Sequence, residues 1–156
     1  MGYTQSILVS SAVDEAMRLR LLQSTEARCP FLRRPRNRSL CTDRLILALP
    51  ELTDYLFDDD ATYEARLAEN DKVKEELSAW SSEFPEPTYV YVEADCFGGT
   101  CLYSGYACRA GEVVARHEPN RGVHTLLLRH VGIETYGAFP PFTRGYFEGR
   151  CSGLPK

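Results

Sequence analysis

The 156 residues are 44% hydrophobic, 11% aromatic and 26% charged, and they carry a formal net charge of −4. These values are typical of a folded globular domain and exclude disordered, collagen-like and coiled-coil chains. The sequence contains no run of 18 apolar residues and no basic leader followed by an apolar stretch. We therefore expect a single cytoplasmic domain over residues 1–156, without membrane association.

The charges are segregated along the chain. Residues 1–50 carry 8 basic and 4 acidic side chains, residues 51–95 carry 3 and 14, and residues 96–156 carry 7 and 4. The net charges of these parts are +4, −11 and +3, which sum to −4. The acidic middle argues against nucleic acid as the main partner, because phosphate binding needs a continuous basic surface. Its simplest interpretation is a solvated helix face, and the alternative is a contact for a basic protein partner.

The N-terminal part of the chain predicts a strand followed by a helix. Residues 6–10 are short, apolar and β-rich, as is typical of a strand. Ser11 and Asp14 resemble a capping box, and apolar residues then recur at helical spacing. We expect a helix over about residues 12–28.

The acidic middle predicts further helices. The apolar run 45–57 follows an arginine-rich loop and has helical spacing, although Pro50 interrupts it, so the pattern fits either one short helix or two turns around Pro50. The three residues Asp58, Asp59 and Asp60 favour the start of the next helix, because the helix dipole attracts acidic groups there. That helix is the clearest in the chain, and its apolar stripe consists of Tyr63, Leu67, Val73, Leu77, Trp80 and Phe84.

The next segment predicts three strands joined by tight turns. Residues 88–94 alternate with a period of two, and Gly98-Gly99 separates them from a second strand over residues 102–109. A second turn at Ala110-Gly111 leads to a third strand over residues 112–116. The pattern predicts an antiparallel meander, and the whole chain an α+β fold with this meander packed against several helices.

The C-terminal part predicts one short helix and an irregular tail. The helix extends over about residues 122–131, and Gly132 ends it. Residues 136–153 are rich in glycine, proline and aromatic residues, and we expect an irregular segment there, with one edge strand as an option.

The six cysteines favour reduced thiols, because the chain shows no secretory signal and is long enough to form a core. Cys96 and Cys101 are the exception, since they flank the Gly-Gly turn and can face each other across a hairpin. The spacing of the cysteines and histidines matches no zinc site, so we predict no metal and no cofactor.

The segment 88–114 resembles a hairpin of small bacterial immunity proteins, which neutralise a polymorphic toxin or a contact-dependent effector. The shared pattern has Glu93 and Asp95 before the Gly98-Gly99 turn, and later a Gly-Glu-Val-Val stretch at residues 111–114. The chain departs from the pattern at Ala94, Cys96, Cys101 and Tyr103. The resemblance implies a non-catalytic cytoplasmic inhibitor, as in toxin–immunity pairs of type VI secretion systems.

We predict that such an inhibitor blocks the active site of a toxin with a basic surface. The candidate contact residues are acidic side chains and aromatic anchors, namely Asp58, Asp59, Asp60, Glu75, Glu76, Tyr89, Tyr91, Glu93, Asp95 and Tyr103. No catalytic residue is predicted. Two alternatives are a small thiol- or carboxylate-dependent enzyme that uses Cys96 or Glu93, and an accessory subunit.

Overall fold

The computed structural model describes residues 2–33, 43–49, 52–53 and 60–134. Their strands are β1 (Gly2–Ser10), β2 (Ile46–Ala48), β3 (Leu52–Thr53), β4 (Tyr89–Phe97), β5 (Thr100–Arg109) and β6 (Glu112–Asn120). Their α-helices are α1 (Glu15–Arg28), α2 (Asp60–Glu83) and α3 (Val123–Arg129). Within these ranges, no helix is both long enough and apolar enough to cross a lipid bilayer.

The strands form one antiparallel sheet in the order β2-β1-β4-β5-β6, and β3 pairs with β1 on the same side as β2. The predicted α+β class and the predicted meander of β4, β5 and β6 are therefore confirmed. The sheet is wider than the meander, because β1 pairs with the full length of β4, from Gly2 opposite Phe97 to Ser10 opposite Tyr89.

Both faces of the sheet contribute to a core. Successive side chains of a strand point to opposite faces. On the first face, Leu8, Tyr89 and Tyr91 belong to a buried cluster that includes residues of α1 and α2. On the second face, Ile7 and Val92 belong to a cluster that includes residues of α3. Among the described elements, the sheet thus lies between α1 and α2 on one face and α3 on the other.

The start of α1 differs from the prediction by three residues. Asp14 is the N-cap, and its carboxylate accepts a hydrogen bond from the backbone N–H of Met17 at 2.7 Å. The hydroxyl of Ser11, the predicted cap, instead accepts from the N–H of Thr88 at 3.0 Å. Ser11 therefore connects the start of β4 to the segment that precedes α1.

The prediction of one short helix, or of two turns around Pro50, for residues 45–57 is wrong where the segment is described, at residues 45–49 and 52–53. These residues contain β2 and β3, which pair with β1. Leu45, Ile46 and Leu47 are all buried, because this part of the sheet is covered on both faces. A continuous apolar run fits a strand buried on both sides as well as a helix, so its periodicity does not distinguish them.

The other predicted elements agree with the structure within a few residues. Of the predicted stripe of α2, Val73, Leu77 and Trp80 are buried, Tyr63 and Leu67 are half-buried, and Phe84 is buried directly after the helix ends. Gly132 follows α3 with a φ of +76°. β6 extends four residues beyond its predicted end at 116. Asp58, Asp59 and the predicted irregular segment 136–153 lie outside the described residues.

Candidate functional site

Two of the predicted acidic contacts, Glu75 and Glu76 of α2, have different surroundings. Asp60 is the first residue of α2, and Glu75 is exposed on it. Glu76 forms ion pairs with Arg28 of α1 and with Lys72, each at 3.1 Å. Hydrogen bonds from Arg28 and Lys72 lower the pKa of Glu76, so this carboxylate stabilises the packing of the two helices.

Two of the predicted aromatic anchors are core residues. Tyr89 is 1% exposed, and its hydroxyl donates to the carbonyl of Phe84 at 3.0 Å. Tyr103 is buried on the opposite face of the sheet, where its ring lies 3.9 Å from that of His124, centroid to centroid. A partner could reach either ring only after a rearrangement of the fold.

The structure places the other three predicted residues of β4 together. Tyr91, Glu93 and Asp95 alternate along the strand and share the face that α2 covers in part. The Tyr91 hydroxyl hydrogen-bonds with Ser6 Oγ at 2.8 Å and donates to the Glu93 carboxylate at 3.1 Å. Burial, and then the charge of Glu93, raise the pKa of Tyr91, so the phenol stays protonated. Asp95 is exposed.

Lys74 of α2 completes this polar cluster. Its ammonium group lies 3.1 Å from carboxylate oxygens of both Glu93 and Asp71, and 5.4 Å from the centre of the Tyr91 ring. Burial lowers the pKa of Lys74, but the two carboxylates outweigh it and raise this pKa above its usual value. The Lys74 charge is therefore satisfied within the protein.

Tyr106 and Arg116 form the neighbouring part of the site. The Tyr106 ring stacks against that of Tyr91 with 5.8 Å between centroids, and its hydroxyl donates to the carbonyl of Lys74 at 2.8 Å. The guanidinium of Arg116 lies 5.4 Å from the centre of the Tyr106 ring, which is a cation–π distance. Arg116 is thus held on a ring that is itself fixed by two contacts.

These groups line a groove of about 260 Å³ between α2 and β6. Its other lining residues are Ser104, Gly105, His117, Glu118 and Pro119. Gly105 has a φ of +151°, and a Cβ at this position would overlap the backbone oxygen of Tyr91. A glycine is therefore required where β5 approaches β4 beneath the groove.

The sheet surface continues past the groove to the β4–β5 turn. Phe97 is 74% exposed and Leu102 is 42% exposed, and both lie on the same face as Asp95. Leu102 is directly opposite Asp95, so Phe97 is its diagonal neighbour. We call this surface the open face and define it by Glu93, Asp95, Phe97, Leu102, Ser104 and Arg116.

The open face combines an exposed apolar pair with charges of both signs. Cys96 forms a disulfide with Cys101, so it offers no free thiol for the enzyme alternative. Burial raises the pKa of Cys29 to about 11 and also raises that of Cys108, which disfavours both thiolates. In the described parts of the chain, no group of three His, Cys, Asp or Glu residues is arranged to hold a metal ion.

Several residues of this site are absent from the sequence-based prediction. These residues are Lys74, Phe97, Leu102, Tyr106 and Arg116, which lie on the four elements α2, β4, β5 and β6, and none was a candidate. The signal in the sequence was the pair of apolar residues, Phe97 and Leu102, on either side of the Gly-Gly turn. The contacts of Lys74 with Glu93 and Tyr106 depend on how α2 packs across the sheet.

Comparison of the chain with models of protein families, with curated proteins and with solved structures finds no significant match.

Proposed function

We propose that this chain is an immunity-type binding protein that neutralises a toxin or effector protein by covering its active site. The open face is the contact surface in this proposal. The chain acts by binding and carries out no reaction of its own. The resemblance of the segment 88–114 to hairpins of bacterial immunity proteins supports the toxin as partner.

The exposed Phe97 and Leu102 carry the proposal. A phenylalanine with 74% of its surface exposed, next to a leucine with 42% exposed, is costly to hydrate. Contiguous apolar groups surrounded by polar residues are typical of protein-binding surfaces. An aromatic side chain of this kind is a common binding hot spot.

The charges next to this apolar pair favour a partner with a basic group. Asp95 is exposed directly opposite Leu102, and no ion pair to it is found in the described chain. An arginine or lysine of the partner placed there would gain an ion pair at the edge of the apolar contact. Such rim charges contribute to association rate and orientation more than to affinity.

The hydrogen-bonded cluster behind the open face supports binding by a rigid surface. A hydrogen bond connects Tyr91 to Glu93, and an ion pair connects Glu93 to Lys74. The hydroxyl of Tyr106 is hydrogen-bonded to the backbone of α2. Side chains that are ordered before binding lose less conformational entropy in a complex. The backbone that carries Phe97 and Leu102 is also ordered, because β4 and β5 pair with each other along their whole length.

The experiment measures binding to the product of the adjacent gene by the double variant Phe97→Ser/Leu102→Ser and by the control variant Leu19→Ser. Leu102 and Leu19 are 42% and 43% exposed, but Leu19 lies on α1, away from the open face. We expect Leu102→Ser combined with Phe97→Ser to weaken binding at least thirtyfold, about 2 kcal/mol, as for a hot spot. Leu19→Ser should leave the affinity unchanged. Equal effects of both variants, or no binding by the wild type, would contradict the proposal.

A further inference from the structure

We infer that the groove beside α2 binds an acidic side chain of the protein partner and that Arg116 is the residue that holds its carboxylate. This inference rests on the proposed function, because it specifies what the partner presents to the open face. The partner must then present an acidic group to Arg116 in addition to the basic group expected at Asp95.

The charge balance of the groove is the first argument. Lys74 and Arg116 are its two permanent cations. Lys74 is neutralised by Glu93 and Asp71. Glu118 also lines the groove. The carboxylates of Glu93 and Glu118 balance the two cations in net charge, but no described carboxylate lies within ion-pair distance of the Arg116 guanidinium.

The position of Arg116 is the second argument. Its guanidinium lies over the Tyr106 ring, and the Tyr106 hydroxyl is bound to the backbone of α2. A guanidinium stacked on an aromatic ring keeps its N–H groups directed outward in one plane, which matches the two oxygens of a carboxylate. The hydroxyl of Ser104, on the groove wall, is a further donor for the same group.

The size of the groove is the third argument. A volume of about 260 Å³ accommodates one side chain of the partner beside the Phe97–Leu102 contact. An ion pair in open solvent contributes little to affinity. When a complex removes an ion pair from water, the loss of one member weakens binding strongly, because the other charge is left buried without a partner. The partner segment therefore combines apolar residues for Phe97 and Leu102 with one aspartate or glutamate for Arg116.

The test uses random peptides displayed on phage as the probe. Peptides are selected on the full-length protein, and those that also bind the Phe97→Ser/Leu102→Ser variant are discarded. The remaining peptides are ligands of the open face. We expect them to contain a recurrent acidic residue, and we expect this preference to disappear when selection is repeated on Arg116→Gln. Arg129→Gln serves as the matched control, because Arg129 is an exposed arginine on α3, beyond the other face of the sheet.

A double-mutant cycle then measures the contact directly. The tightest peptide and its Glu→Gln or Asp→Asn analogue are titrated calorimetrically against wild type and Arg116→Gln. Each single change should weaken binding at least tenfold, and the two together should weaken it no further. In a contradicting result, the peptides need Phe97 and Leu102, but the two single changes weaken binding by independent factors that multiply in the double change. This result would overturn the role of Arg116 and leave the proposed function standing. A failure to select any peptide that depends on Phe97 and Leu102 would contradict both.

Discussion

Tyr106 of β5 and Arg116 of β6 face each other because β6 contains one extra residue between them and the turn. Ala107 is opposite Ala115, whereas Cys108 is opposite Val113, so Val114 has no counterpart on β5. Such a bulge shifts the register of the pair by one position. The shift brings the guanidinium of Arg116 over the Tyr106 ring, where it forms one wall of the groove.

The Tyr91 hydroxyl should contribute measurably to stability. Tyr91→Phe removes its hydrogen bonds with Ser6 and Glu93 and leaves the buried Ser6 hydroxyl without this contact. We expect the free energy of unfolding to fall by about 1–2 kcal/mol, measured by urea denaturation. Ser104→Ala, which also removes a hydroxyl from the groove, should change it by less than about 0.5 kcal/mol. A Tyr91→Phe variant as stable as wild type would show that this cluster is not structural.

Gly105 should tolerate substitution much less than Gly98. Alanine at position 105 places a methyl group against the backbone of Tyr91 at a φ of +151°, whereas alanine at position 98 points into open space at a φ of +58°. We expect a loss of about 3 kcal/mol or more for Gly105→Ala and about 1 kcal/mol for Gly98→Ala. Thermal and urea unfolding of both variants give the comparison, and equal losses would contradict the close approach of β5 and β4.

Stability should fall in mildly acidic solution because of His124. This side chain is 2% exposed, and burial lowers its pKa below the ordinary 6.5. The unfolded chain therefore binds a proton more readily than the folded protein, and the free energy of unfolding falls as the pH drops through 6.5. Melting temperatures between about pH 7.5 and about pH 5.5 measure the effect.

Two histidine variants separate His124 from other titrating groups. His124→Gln removes the buried imidazole, and the fall in melting temperature between these two pH values should become smaller. His130→Gln changes an exposed histidine at the end of α3 and should leave the fall as in wild type. The assignment to His124 is wrong if both variants keep the full pH dependence.

The Cys96–Cys101 disulfide should stabilise the hairpin that carries Phe97. The two cysteines are five positions apart, and closure of so short a loop contributes about 2 kcal/mol in the chain-entropy model. We expect a reductant to lower the free energy of unfolding of wild type by this amount. The double variant Cys96→Ala/Cys101→Ala should be insensitive to the reductant, and an equal response of both proteins would assign the effect to other cysteines.

The sequence was informative where residue types recur with a regular period. The period of two in residues 88–94 and the Gly98-Gly99 pair predict the hairpin, and the stripe through Val73, Leu77 and Trp80 predicts α2. It was uninformative for β2, since both of its faces are buried and no period remains. The interior place of β1 in the sheet depends on its pairing with β4, between residues 79 to 95 positions apart.

The candidate site was predictable in part for a similar reason. Glu93 and Asp95 lie on one strand, so their common face follows from the alternation of side chains. A simple two-residue turn at Ala110-Gly111 would place Ala115 opposite Tyr106. Because of the bulge at Val114, Arg116 lies opposite Tyr106 instead, and no pattern in the sequence predicts that bulge.

Hydrogen exchange in the complex with the adjacent gene's product is the most direct measurement of where this protein binds. The account predicts slower exchange of backbone amides in residues 95–104 and around Arg116 when the complex forms, with unchanged exchange in α1 and α3. Protection confined to α1 or α3, with the β4–β5 hairpin exchanging as in the free protein, would contradict it.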